Sequence, residues 1–246
     1  MKKFTILIVF LILLLFTGCG NVQPELPTYS ISKQDRIGYI IDIKNKVEHT
    51  HMGTTIFNNF DKTYKYKWNL ANYIDNSLQN KLGSNLVDLS KHGYKVDDVK
   101  DIISANDNKW IISNKTTYNK LLSELNLKAI VIFYDAPKSI FLYPYSYETK
   151  GTGLLSHHVI GIKRYFTVLG VKSTVFVLNP LAKVETEDKI VEIIYDPLIS
   201  SYEEKSGFVI PSDIENITEK EFEPVKKSNI THLDILIGNT LDYLLK

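Results

Sequence analysis

From Arg36 onward the apolar residues alternate between a spacing of two and a spacing of four. In "RIGYIIDI", Ile37, Tyr39, Ile41 and Ile43 fall on one side and Gly38, Ile40 and Asp42 on the other, the pattern of a strand covered on both faces. "WNLANYIDNSLQNKL" sets Leu70, Ile74, Leu78 and Leu82 four apart, which predicts a helix with Asn69 as its cap. "SNLVDLS" reads as a short strand, and weaker helical spacing follows at 97–105 and 116–125. "KAIVIFYDA", residues 128–136, is a continuous apolar run and predicts the central buried strand.

Beyond it the chain turns β-rich. "SIFLYPY", "LLSHHVIGI", "YFTVLGVKSTVFVLNP" and "KIVEIIYDP" carry aromatic and β-branched residues between Gly, Pro and Asn breaks. Their connections are too short for crossover helices, so antiparallel pairing is expected. "NITHLDILIGNTLDYLLK" gathers Leu233, Ile237, Leu241, Leu244 and Leu245 on one side, a terminal helix with Asn229 or Thr231 as its cap. The predicted class is α/β or α+β: a mixed β-sheet with helices packed on at least one face and a C-terminal docking helix.

The N-terminus follows a different rule. Lys2 and Lys3 precede an apolar run from Phe4 to Phe16 broken only by Thr5, the layout of an export signal and too short to span a bilayer comfortably. It ends in Phe16, Thr17, Gly18 and Cys19, the only cysteine in the chain. These residues resemble the lipobox of bacterial lipoproteins, with Phe16 where Leu is usual. The resemblance implies cleavage before Cys19, a diacylglycerol on its sulfur, acylation of the new amino group and a stable membrane anchor. An exported domain with no second cysteine forms no internal disulfide, which agrees with that role. Gly20 stands where an inner-membrane retention signal carries Asp, so delivery to the outer membrane, facing the periplasm, is expected for a host with two membranes.

The resulting layout is a signal peptide at 1–18, a lipidated tether at 19–35 with two prolines and no strand or helix period, and one domain at 36–246. Fully extended, the tether spans on the order of 50 Å. The whole chain carries 29 basic and 28 acidic residues; cleavage removes two lysines, so the mature chain stays near neutrality. No basic stripe marks it for nucleic acid.

Candidate chemistry concentrates in "EHTHMGTTIFNNFDK", residues 48–62. In a strand His49 and His51 share a face, and two imidazoles so placed are a partial zinc site that Glu48, Asp61 or another His would complete. Of the neighbours His157 and His158, a strand lets only one join such a site. No HExxH, G-x-S-x-G or phosphate-loop motif occurs, and "GTG" at 151–153 reads as a turn. Gly53, Thr54, Thr55, Asn58 and Asn59 are loop-forming residues, either folded over a sheet edge or forming the lip of a pocket. Asp135 ends the predicted central strand, where α/β sheets bind ligands, though it also suits the turn before Pro137; Asp196 in "YDP" invites the same two readings. In "FLYPYSYE", Tyr143, Tyr145 and Tyr147 line one face of an extended segment, and Pro144 puts that segment at a sheet edge.

Together these features point to a membrane-anchored envelope lipoprotein that binds or assembles with an envelope protein partner through Tyr143, Tyr145 and Tyr147, without catalysis or cofactor. α/β domains of this kind also occur in envelope lipoproteins, a fold-level resemblance. Two alternatives are a membrane-tethered, zinc-dependent hydrolase using His49 and His51, and capture of a small ligand or glycan by the tyrosines.

Overall fold

The computed structural model describes residues 24–136, 138–142, 145–159, 162–187, 191–195 and 208–245. In chain order these form β1 (Ile37–Asp42), β2 (Val47–Met52), a 3-10 turn (Ile56–Asn58), β3 (Phe60–Tyr64), α1 (Leu70–Leu82), β4 (Leu86–Asp88), α2 (Val96–Val99), β5 (Ile103–Asn106) and β6 (Lys109–Ile112). There follow α3 (Lys115–Asn119), β7 (Ala129–Asp135), β8 (Lys138–Leu142), β9 (Tyr145–Thr149), β10 (Gly153–Val159), β11 (Ile162–Val168), β12 (Val171–Leu178), β13 (Leu181–Glu187), β14 (Val191–Tyr195) and α4 (Glu219–Leu244).

The strands sort into two five-stranded sheets where the apolar pattern implied one. The first runs β13-β12-β7-β1-β4, with β4, β1 and β7 parallel and β12 and β13 antiparallel. The second runs β14-β11-β10-β2-β3 and is antiparallel except where β10 lies parallel to β2. Among the described residues β8 and β9 form a separate two-stranded sheet, as do β5 and β6.

β7 shows why the first sheet is apolar throughout. Its alternating side chains feed two cores: Ala129, Val131 and Phe133 join α1 and α4, while Ile130 and Ile132 join Val96, Val99, Tyr118 and Leu121 on the opposite face. Helices therefore cover both faces. In α1 the residues spaced by four, Leu70, Ile74, Leu78 and Leu82, are all buried. Asn69 precedes the helix in a left-handed conformation and makes no side-chain cap; it exchanges hydrogen bonds with Asn45 instead.

Three local expectations change. Residues 97–105 form only the short α2 before β5, because Asp107 and Asn108 both adopt positive φ, the geometry of a tight hairpin turn joining β5 to β6. The terminal helix starts ten residues earlier than Asn229. Thr218 caps it, accepting from the Glu221 amide while the Glu221 carboxylate accepts from the Thr218 amide. Pro224 falls inside the helix, and Asn229 is an interior, buried residue. Finally, "YFTVLGVKSTVFVLNP" is not one ribbon: Gly170 carries the chain from β11 in the second sheet to β12 in the first. A Cβ on Gly170 would lie 2.5 Å from the Gly151 carbonyl carbon, so only glycine fits this crossing.

α4 ties the two sheets together. Its first turns pack Phe222 against Tyr64, Tyr66 and Trp68, Asn229 donates to the Gly153 carbonyl, and Thr240 bonds Ser173 on β12. Within the segment read as a tether, Tyr29 and Ile31 are buried in the same core and the Tyr29 hydroxyl donates to the Tyr243 carbonyl. No helix among the described residues is long and apolar enough to cross a membrane.

Candidate functional site

The parallel pairing of β2 and β10 sets Ser156 opposite His51, and the antiparallel pairing of β10 and β11 sets Ser156 opposite Tyr165. Alternation along each strand then gathers His49, His51, Ser156, His158 and Tyr165 on one face. His49 Nε2 and His51 Nδ1 each lie 2.7 Å from Ser156 Oγ, and His158 Nε2 lies 2.7 Å from the Tyr165 hydroxyl. The rings of His51 and His158 meet edge-on at 4.8 Å, and Phe60 stacks on His51. His157 is displaced to the other face by the same alternation.

The cluster is closed around His49 and Ser156, while His158 is half-buried. His49 and Ser156 have no exposed surface and His51 has 5%. Burial drives the His49 pKa down to about 3, reinforced by repulsion from His51, His158 and Lys62. Burial likewise lowers His51 to about 4 and His158 to about 4, with neighbouring imidazoles and Lys163 adding to it. The Tyr165 hydroxyl is pushed upward by burial. All three histidines are neutral at pH 7.

Neutral rings fix the proton accounting. His49 Nδ1 is buried without a hydrogen-bond partner. An orphaned N–H costs more there than an orphaned lone pair, so the His49 proton belongs on Nε2 and is donated to Ser156 Oγ. The serine hydroxyl then donates to His51 Nδ1. This is a relay of neutral groups in which Ser156 accepts from His49 and donates to His51.

A serine held by two imidazoles has the composition of a nucleophile and base, yet Ser156 has no exposed surface. A shallow depression of about 330 Å³ between Thr50, Phe60 and Glu148 reaches His51 but not Ser156. As a metal site, the sequence-predicted pair His49 and His51 converges on a hydroxyl. Among the described residues no group of three or more His, Cys, Asp or Glu is arranged to hold a metal ion. Glu48 is engaged by Lys46 and Thr63. Asp61 bonds Thr50 and pairs with Lys150 at 2.8 Å.

Of the other sequence-predicted residues, Asp135 accepts from the Lys44 amide at 2.9 Å at the end of β7, and burial raises its pKa. It holds a turn. Cys19, Tyr143 and Asp196 lie outside the described residues, while Tyr145 and Tyr147 stand in β9 opposite Leu142 and Ile140. A cleft of about 420 Å³ opens at the other end of α4, between Pro24, Leu26, Trp110, Lys183 and Tyr243.

The turn after β2 carries a feature that the residue pattern did not single out. Ile56 is 78% exposed and Phe57 91%. Their turn is braced from within: Thr55 Oγ1 donates to Asn58 Oδ1, and the Gly53 amide donates to Asn59 Oδ1 at 2.8 Å. Thr54 Oγ1 reaches the His158 carbonyl at 3.3 Å. A Cβ on Gly53 would sit 2.3 Å from the Asn58 Cβ, so the tight turn requires glycine.

No protein-family model matches the chain, and no curated protein matches it. Among solved structures, the C-terminal domain of LpoB from Salmonella enterica, in selenomethionine form, is similar at 7% identity with a TM-score of 0.21, over 62% of this chain and 83% of that one. A likeness of that size carries no argument about fold or function.

Proposed function

We propose that the chain is an exported lipoprotein, anchored through acylated Cys19, whose domain binds an envelope protein partner and catalyses no reaction. The observation that carries this reading is the β8–β9 hairpin. It pairs with neither five-stranded sheet among the described residues, and it holds Tyr145 and Tyr147 two residues apart on one strand. A hairpin outside the main sheets is a place where a partner strand can add, and tyrosine supplies ring area together with a hydroxyl that bonds. The sealing of the histidine–serine cluster supports a binding role, since the groups best equipped for acid–base work are consumed by internal hydrogen bonds.

Two experiments test the reading. Mass spectrometry of the mature N-terminus should find lipid on Cys19 and no residues 1–18, and Cys19→Ala should abolish membrane retention. A photo-crosslinking residue at position 145 should give one discrete adduct in intact cells that is lost when Tyr147→Ala is added, and one at position 147 an adduct lost when Tyr145→Ala is added. A bare thiol at Cys19 removes the anchor, and monomer alone at both crosslinking positions removes the partner.

A further inference from the structure

Three facts about the turn at 53–59 belong together. Its tip presents Ile56 and Phe57 outward, 78% and 91% exposed. The segment from Gly53 to Phe60 contains no charged residue. Its internal hydrogen bonds hold that shape without help from the exposed side chains. A rigid, uncharged turn with two apolar side chains at its crest is built to enter an apolar medium.

The size of the tip and its distance from the anchor select the medium. The two side chains offer on the order of 300 Å², far below the ~800 Å² per partner that a stable protein interface buries. The same area suffices against a surface to which the protein is already attached, because a short leash sets an effective concentration on the order of millimolar. The Glu25 carbonyl accepts from Trp110 Nε1, and Tyr29 and Ile31 are buried, so only residues 19–23 separate Cys19 from the described fold, a chain length of at most ~17 Å. A domain so held is never far from its bilayer.

The fold then dictates an orientation. Pro24 and Leu26 lie beside Tyr243 at the C-terminal end of α4, whereas His49 of β2 and Tyr64 of β3, on the strands that lead into and out of the turn, pack on Phe222 near its N-terminal end. At ~1.5 Å rise per residue these points on the helix are ~30 Å apart. We infer that the exposed Ile56–Phe57 turn is a second membrane contact, which inserts into the outer part of the bilayer that holds the Cys19 lipid and lays the domain down with α4 along the membrane plane. The inference rests on the lipid anchor proposed above. Its ligand is the acyl and glycerol region of phospholipid, with no headgroup charge required, since the turn carries none.

The test uses the full lipidated chain. Acylation blocks the native cysteine, so Phe57→Cys supplies the single free thiol, which takes an environment-sensitive NBD dye after reconstitution into phosphatidylethanolamine/phosphatidylglycerol vesicles. Mass spectrometry of the same sample records lipid on Cys19. Expected are at least threefold brighter emission at position 57 than at the exposed control Lys65→Cys, at least twofold quenching by acyl-chain doxyl lipid, and loss of half that quenching when Ile56→Ser is added. Because Phe57 is exposed, its replacement leaves the core intact, and a far-ultraviolet circular dichroism spectrum confirms folding. Lipid on Cys19 with a water-exposed dye overturns the second contact and leaves the anchor standing. A dye shielded from water yet untouched by doxyl lipid also overturns it, pointing to a protein or a second copy. Absence of lipid on Cys19 overturns both readings.

Discussion

The histidine–serine cluster should make the protein fail in mild acid, well above the pH at which carboxylates titrate. The perturbation is a shift from pH 7.5 to pH 5. His49, His51 and His158 have native pKa values of about 3, 4 and 4, all below their ordinary value of 6.5. Below pH 6.5 the unfolded chain takes up protons that the native cluster refuses, so stability falls as pH falls and is fully present only above that point. Each buried imidazole contributes a slope approaching ~1.4 kcal/mol per pH unit, and at pH 5 each has lost ~2 kcal/mol. Three such groups amount to ~6 kcal/mol before any discount, a large part of the ~5–15 kcal/mol total stability of an ordinary domain, and His157, also lowered by burial, acts in the same direction. Coupling among the rings and partial exposure of His158 reduce this, and a loss of about 3 kcal/mol is expected. Urea unfolding at pH 7.5, 6.5, 5.5 and 5.0 measures it, and His158→Gln, which keeps a polar partner for Tyr165 but binds no proton, should flatten the slope by about one third. A loss under about 1 kcal/mol between pH 7.5 and 5, or histidine NMR titrations centred near pH 6.5, would refute the burial and the relay together.

Three further outcomes follow from packing and hydrogen bonding. Ser156→Ala strands two buried imidazole nitrogens and should lower stability by about 2 kcal/mol, read by urea denaturation at pH 7.5. Leu78→Ala empties a fully buried position of α1 and should lose 2–5 kcal/mol, about 3 at typical cavity cost, by the same measurement. Thr218→Ala removes the cap of α4 and should cost about 1 kcal/mol, with faster amide hydrogen exchange over residues 219–222 only.

What the residue pattern reveals and what it conceals divide along physical lines. Period-four spacing in α1 and the unbroken apolar run of β7 are local signals with one structural solution, and both are present in the fold. The start of α4 was hidden because Pro224 reads as a boundary, while the signal that decides, the Thr218–Glu221 capping box, lies upstream of it. The division into two sheets was hidden because strand pairing is non-local: nothing in β11 or β12 alone says that they separate at Gly170. For the site, the i, i+2 spacing of His49 and His51 was sufficient to place them on one face. Their partners on β10 and β11 depend on register, which only the assembled sheet fixes, although "SHH" does put Ser156 and His158 on a common side once a strand is assumed. The exposure of Ile56 and Phe57 was illegible for a different reason: apolar residues in a short segment default to the core, and only the braced turn holds them out.

The passage of the chain through Gly170 also governs how the molecule comes apart. Gly170 is one of several places where the backbone passes between the sheets, as it also does from β1 to β2, β3 to β4 and β13 to β14, and α4 lies across both, so the two sheets are interleaved along the chain. Trp68 belongs to the core shared by both sheets and α4, and Trp110 packs against the core on the far face of the first sheet. A single melting transition is expected, in which the two indoles lose their native surroundings at the same temperature.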